Sequence, residues 1–237
     1  MATAVPVERD AVAAGFAGPA EEVGVPGARL DRLVPGGTSP AGLVVDLVAA
    51  GVGAALAGAS VGGALTAGAL RGEPYDLVVS AGIGGGFLPA APLGTLVVAD
   101  AVTVADLGAE TTDGFLPVTE LGFGSVTHRP PESLVRAVSR ATGARVGTVL
   151  TVSTVTGTAA RAAELRDRHP GALAEGMEGF GVAEAAALHH VPVLEIRAVS
   201  NPVGPRDRDA WRIGDALAAL TAGFGKLAPV LESWDTA

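Results

Sequence analysis

Two short stretches hold the side chains with the most capacity for chemistry. Gly176-Met177-Glu178-Gly179-Phe180 sets a carboxylate at a turn that opens a small-residue helix, GVAEAAAL. Further on, Ile196-Arg197-Ala198-Val199-Ser200-Asn201 sets an amide at the carboxyl end of the strand VPVLEIRAVSN. Ligands of open α/β sheets collect outside the carboxyl ends of strands, so these two groups can converge there on one small polar molecule. Singly, each has an ordinary explanation, because Glu is favoured in a helix's first turn and Asn forms turns. Together, with Met177 ahead of the Glu, they favour a site.

Other segments point to the same edge. In Thr3-Ala4-Val5-Pro6-Val7-Glu8-Arg9-Asp10, a short strand would deliver Glu8, with a helix predicted over Arg9–Phe16. A Glu at a helix start is unremarkable alone and gains weight only in company. Ser80-Ala81-Gly82-Ile83-Gly84-Gly85-Gly86-Phe87 follows a strand and reads as a loop. Its glycines remove Cβ atoms where the backbone must approach something closely. Gly51-Val52-Gly53 opens a helix after VVDLV, yet Leu56 stands where a dinucleotide fingerprint needs its third glycine.

The elements that must position these groups alternate along the chain. Apolar runs of strand length occur at Leu43–Val48, Leu77–Ser80, Leu96–Val104, Val146–Val152 and Val193–Val199. Helical stretches occur at Gly51–Leu70, Pro131–Thr142, Thr158–His169, Gly179–His189 and Trp211–Leu231. That pattern predicts an α/β fold: a single three-layer domain over residues 1–237, with a mixed, mostly parallel sheet and helices on both faces. No linker-like shift in composition interrupts it.

Composition narrows the function. With 237 residues and 49% hydrophobic content, one substantial core is expected. A formal charge of −9 and no basic run argue against nucleic acid, and a small molecule is the expected partner. There is no cysteine, so thiolate metal sites and cysteine nucleophiles are excluded. His128, His169, His189 and His190 show no ligand spacing, and neither a metal nor a cofactor is expected. Gly51–Leu70 is uncharged and long enough to span a membrane, but its Ala/Gly content and lack of aromatic or basic flanks favour a buried helix. The amino-terminal residues, with Glu8 and Asp10, lack the basic-then-apolar pattern of a signal peptide, so a cytoplasmic protein is expected.

The order AVPVERDAV, SAGIGGGF, GMEGFGVAEAA, RAVSN resembles the nucleoside phosphorylase and nucleosidase superfamily over nearly the whole chain. Within it, the ending EIRAVSNPVGPRDRDAWRIGDAL is similar to that of the futalosine hydrolase family of menaquinone biosynthesis. The resemblance implies a nucleoside phosphorylase-like fold and hydrolysis of the N-glycosidic bond of futalosine, releasing hypoxanthine and dehypoxanthine futalosine. It implies Glu8 as the group that activates water, and Glu178 as the group that binds ribose hydroxyls and stabilises the cationic sugar. Breaking an N-glycosidic bond develops oxocarbenium character, which carboxylates near the ring stabilise. Met177 would lie under the sugar as a flexible apolar surface. Ser80 and Gly82 would line the same pocket.

Asn201 stands where adenosyl nucleosidases carry Asp. Its NH₂ can donate to a carbonyl oxygen and its oxygen can accept from a protonated N7, which suits a 6-oxopurine such as hypoxanthine. It cannot supply a proton. Val155 stands near where relatives cover the purine with an aromatic, which leaves Phe87 or Phe180 as stacking partners. The first strand is clipped relative to the family. Trp211 matches an aromatic of the relatives' 5′ pocket. Arg206 or Arg208 beside it would suit the aryl carboxylate of futalosine, unless the two simply pair with Asp207 and Asp209.

Two other function classes remain beside this hydrolase, the second being a phosphorylase or an adenosyl nucleosidase. A purine nucleoside phosphorylase would need arginines on phosphate, and none occurs over 33–70 or 72–128, leaving Arg29 and Arg32. An adenosyl or methylthioadenosine nucleosidase would share the same frame, and a non-enzymatic binding protein is the third class. The family's dimers and hexamers suggest a homo-oligomer.

Overall fold

The computed structural model describes residues 1–25, 27–35 and 42–234. Its strands are β1 (Ala2–Thr3), β2 (Ala20–Val25), β3 (Ala28–Leu33), β4 (Val45–Ala49), β5 (Val78–Gly86), β6 (Leu96–Val104), β7 (Gly108–Thr111), β8 (Gly114–Pro117), β9 (Thr127–His128), β10 (Arg145–Thr151), β11 (Ala172–Gly176) and β12 (Val193–Pro202). Its helices are α1 (Pro6–Ala13), α2 (Ala54–Leu70), α3 (Glu132–Thr142), α4 (Ala159–Arg168), α5 (Gly179–Leu188), α6 (Ile213–Phe224) and α7 (Ala228–Ser233).

Ten strands form one sheet in the order β11-β10-β6-β12-β5-β1-β4-β3-β2, with β9 beside β6. The long ladders β12–β5, β10–β6 and β10–β11 are parallel, whereas β12–β6 and the β2–β3–β4 flank are antiparallel. The predicted class therefore holds: a mixed, mostly parallel sheet between helical layers. The sheet also curls. β11 pairs back onto β5 through Ala174↔Gly86 and Glu175↔Gly85, so β5, β12, β6, β10 and β11 close into a ring.

The two faces of the sheet bury separate apolar clusters. Ala57, Val61, Ala64 and Leu65 of α2 and Val182, Ala183, Ala185 and Ala186 of α5 pack on one. Val12 of α1, Leu134, Val135 and Val138 of α3, and Ala216, Leu220 and Phe224 of α6 pack on the other. Helices α2 and α5 approach closely because glycine meets backbone at their crossing. A Cβ on Gly58 would stand 2.9 Å from the carbonyl oxygen of Gly181, and one on Gly181 would run into that of Ala54. Among the described residues no helix is long and apolar enough to cross a membrane. The uncharged stretch is α2, buried along one side and exposed at Leu56 and Leu70.

Three expectations need correction. The glycine run is not a loop, because Gly82–Gly86 continue β5. Their missing Cβ atoms make room for protein: Gly84 lies against the backbone oxygen of Glu175 in the crossing strand, Gly86 against that of Ala91. The first helix starts at Pro6 rather than Arg9, since proline suits a first turn and Glu8 caps the start itself. Trp211–Leu231 divides into α6 and α7 at Gly225–Leu227, after a 3₁₀ turn over Arg208–Ala210.

Candidate active site

Along β12, alternate side chains face opposite layers. Leu194, Ile196 and Ala198 enter the core under α6, while Val199 faces α2 and α5, and by the same alternation so do Glu195 and Arg197. Arg197 is 1% exposed and organises the site. Its Nε donates to Glu195 Oε1 at 2.8 Å, and its Nη2 donates to Ser80 Oγ at 3.2 Å. Its Nη1 lies 3.3 Å from Glu178 Oε2. A buried cation is tolerable only when paired. Burial alone would lower the Arg197 pKa, but Glu195, Glu178 and Glu8 together hold it above the ordinary arginine value. Glu195 is wholly buried, and burial pushes its carboxyl above the usual range despite Arg197. Its second oxygen has no hydrogen-bond partner among the described residues.

Glu8 reaches the same group from α1. Its Oε2 accepts the N–H groups of Ala4 at 3.0 Å and Val5 at 3.3 Å, and its Oε1 accepts that of Ile83 at 2.8 Å. These bonds tie the helix start to β5. Gly82 sits between the charges: a Cβ there would lie 2.7 Å from both Arg197 Nη1 and Glu8 Oε1. Glu178 begins α5 and is held from α2, where Gly53, at φ +90°, donates its N–H to Oε1 at 3.2 Å. The N–H of Met177 reaches Oε2 at 3.3 Å. The helix crossing at Gly58 and Gly181 thus brings Gly53 to Glu178. Glu8, Ser80, Gly82 and Glu178 are brought together around one guanidinium.

Asn201 stands four residues beyond Arg197 on the same strand, β12, paired in register with Gly85 of β5. Its Oδ1 accepts from Ser200 Oγ at 2.9 Å and its Nδ2 donates to the Pro202 carbonyl at 3.0 Å. Met177 is half-buried between β11 and Glu178, and Val155 is exposed in the segment after β10. Neither aromatic named for stacking lies open. Phe87 is buried in a small cluster with Leu150, Val152 and Leu165. Phe180 is 6% exposed, with its ring centroid 5.3 Å from that of His128 and its N–H donated to Thr151 Oγ1.

Arg206 and Arg208 do not pair with Asp207 and Asp209 among the described residues; both stack over Trp211, at 5.2 and 5.9 Å from the indole. The N–H of Arg212 donates to the Ser200 carbonyl at 2.8 Å, returning the end of this loop to β12 beside Asn201. Arg32 is engaged at the opposite, amino end of β4, gripping Asp46 with bonds of 2.8 and 2.9 Å, and Arg29 pairs with Glu22.

Arg197 and Glu195 were not among the residues singled out from the sequence. A signal existed: Glu and Arg two apart within VLEIRAV place unlike charges on one face of a buried strand.

The fold is of nucleoside phosphorylase type, and residues 19–228 match the model of the phosphorylase superfamily. The fold is shared with the 5′-methylthioadenosine/S-adenosylhomocysteine nucleosidase of Neisseria meningitidis, at a TM-score of 0.77 and 19% identity over 98% of this chain and 97% of that one. Futalosine hydrolase of Streptomyces coelicolor is 74% identical over 234 residues, 99% of this chain and 96% of the relative. That of Acidothermus cellulolyticus is 46% identical, over 95% and 88%. The chain belongs to the futalosine hydrolase family.

Proposed function

We propose that the protein hydrolyses the N-glycosidic bond of futalosine, a step of menaquinone biosynthesis, releasing hypoxanthine and dehypoxanthine futalosine. The family relationship supports the substrate. The observation that carries the chemistry is the buried arrangement of Glu8, Glu178 and Glu195 around Arg197. As the bond from C1′ to the base lengthens, positive charge grows on the sugar, and Glu178 faces it. Water adds to C1′ and gives its proton to Glu8, held by three backbone donors with about one lone-pair position to spare. Arg197 keeps the carboxylates apart and in place. Asn201 offers both a donor and an acceptor to the 6-oxopurine, and the departing base takes its proton from water, the hydroxide so formed being neutralised by the proton that Glu8 accepted, so that one water is consumed overall. Met177 lies beneath the sugar, with Arg206, Arg208 and Trp211 at the 5′ side.

Water rather than phosphate as nucleophile is supported by Arg32, whose guanidinium is spent on Asp46 away from the site. We further infer one nucleosidase domain across residues 1–237. A homo-oligomer is supported by the exposed leucines 56, 70 and 188 of α2 and α5.

The test is base release from futalosine, inosine and methylthioadenosine, followed chromatographically with and without phosphate. Hypoxanthine from futalosine at a phosphate-independent rate is expected. Release that requires phosphate, or adenine from methylthioadenosine with none from futalosine, overturns the reading.

A further inference from the structure

Glu175, the residue before Gly176 on β11, is a buried carboxylate that the reaction does not use. It is 4% exposed, and both its oxygens turn to one residue nineteen positions earlier. Oε1 accepts the Thr156 N–H at 2.9 Å, and Oε2 accepts the Thr156 hydroxyl at 2.5 Å. Burying a carboxylate is costly, and these two bonds are what satisfies it.

The bonds fix the irregular segment that joins β10 to α4. That segment is tied elsewhere too: the Val152 N–H donates to the Gly176 carbonyl at 3.0 Å, and the Ser153 N–H donates to Asp106 Oδ2 at 2.6 Å. At its far end the Thr158 hydroxyl caps α4. Between the ties Thr156 is buried and Val155 is turned outward. The sheet sets its place. β10 ends at Thr151 opposite Gly176, just ahead of Met177, and Glu175 faces Gly85, whose other neighbour is Asn201. The segment therefore borders the Asn201–Met177 side of the site.

We propose that Glu175 is a positioning residue for the nucleobase: by holding both polar groups of Thr156 it keeps the segment 152–158 against the base side of the site, and so sets affinity for the nucleoside. This rests on the reading that a purine nucleoside occupies that side. Among the described residues no hydrogen bond or ion pair joins residues 152–158 to Glu8, Glu178 or Arg197. Loosening the segment thus removes binding shared by ground and transition states, which raises KM and spares kcat.

Thr156→Val removes the hydroxyl while keeping its shape, and Thr156→Ser restores it. For Thr156→Val, KM for futalosine should rise on the order of tenfold with kcat within about twofold, the scale of losing one hydrogen bond to a charged group. Thr156→Ser should recover most of this. Hypoxanthine binding, measured by calorimetry, should weaken by the same factor. Amide exchange should accelerate at 153–156 and stay unchanged in β11. A fall in kcat at constant KM overturns the proposal, as does equal hypoxanthine affinity in Thr156→Val and the unaltered protein, or no binding to either. Unaltered protein that binds hypoxanthine but releases none from futalosine counts against the substrate alone, because the base-binding comparison still decides the role of Glu175.

Discussion

Replacing Glu178 by Gln removes one charge and almost no volume. The amide oxygen can still accept from Gly53, whose N–H lies 3.2 Å from Oε1, so the start of α5 should hold. Arg197 loses its partner at 3.3 Å but keeps Glu195 at 2.8 Å. Breaking a buried pair outright costs about 3–5 kcal/mol, and with Glu195 still in place the loss should be smaller. Catalysis should suffer more. Two unit charges about 4 Å apart interact by about 4 kcal/mol at an effective dielectric near 20. The sugar carries only part of a charge at the transition state, and Arg197 already screens the carboxylate. Both effects bring the figure toward the lower end of about 2.7–4 kcal/mol, 10²–10³ in rate, the usual scale for one lost electrostatic stabiliser. The assay is hypoxanthine release at saturating futalosine, with thermal unfolding run alongside. A melting point near that of the unaltered protein with a rate within threefold of it would refute the placement of Glu178 at the sugar.

Glu8→Ala should lower the rate by roughly 10²–10⁴, because the water loses its base, and added phosphate should not restore it. Phosphate that accelerates the unaltered enzyme would show Glu8 to have another role. Gly82→Ala places a methyl 2.7 Å from both Arg197 Nη1 and Glu8 Oε1, so both groups must shift. Urea unfolding should show a loss of about 1–3 kcal/mol, with turnover falling alongside; unchanged turnover would mean that their spacing does not matter. If an arginine over Trp211 grips the 5′ carboxylate, Arg206→Ala or Arg208→Ala should raise KM for futalosine and not for inosine, by about 1.5–3 kcal/mol. Equal effects on both substrates would leave the two cations to the indole alone.

Elements with strong apolar runs were legible in the sequence: β6 spans Leu96–Val104 as expected, and α2 and α5 lie where their small-residue stretches stand. The hairpin β2–β3 was not, because AEEVGV and ARLDRL are too polar to read as strands until they pair with each other. β11 is five residues ending in glycine, and only its neighbours β10 and β5 make it a strand. The glycines of β5 were legible as a place of close approach, but what approaches is the protein itself, Glu175 of β11 at Gly84 and Ala91 at Gly86. At the site, Glu8 and Glu178 are each ordinary at a helix start, and they could be found only in company, with Met177 and Asn201 and in the order of the motifs. Arg197 was hidden by its surroundings, since a charge inside VLEIRAV is submerged in the signal of a buried strand. Its function appears only when Glu8 and Glu178 arrive from elsewhere in the chain to join Glu195 around it.

The return of β11 onto β5 has a consequence for how the molecule avoids its own kind. An open ladder of this length would offer two bare rims of N–H and C=O groups, each able to recruit a strand from another chain. Ring closure consumes one of them. The other is β2, whose outer residues Glu21 and Glu22 are exposed side by side, so a second copy laid along it in register would set like charges against each other. Among the described residues, the long rim left open at β2 is thus the one that carries exposed carboxylates.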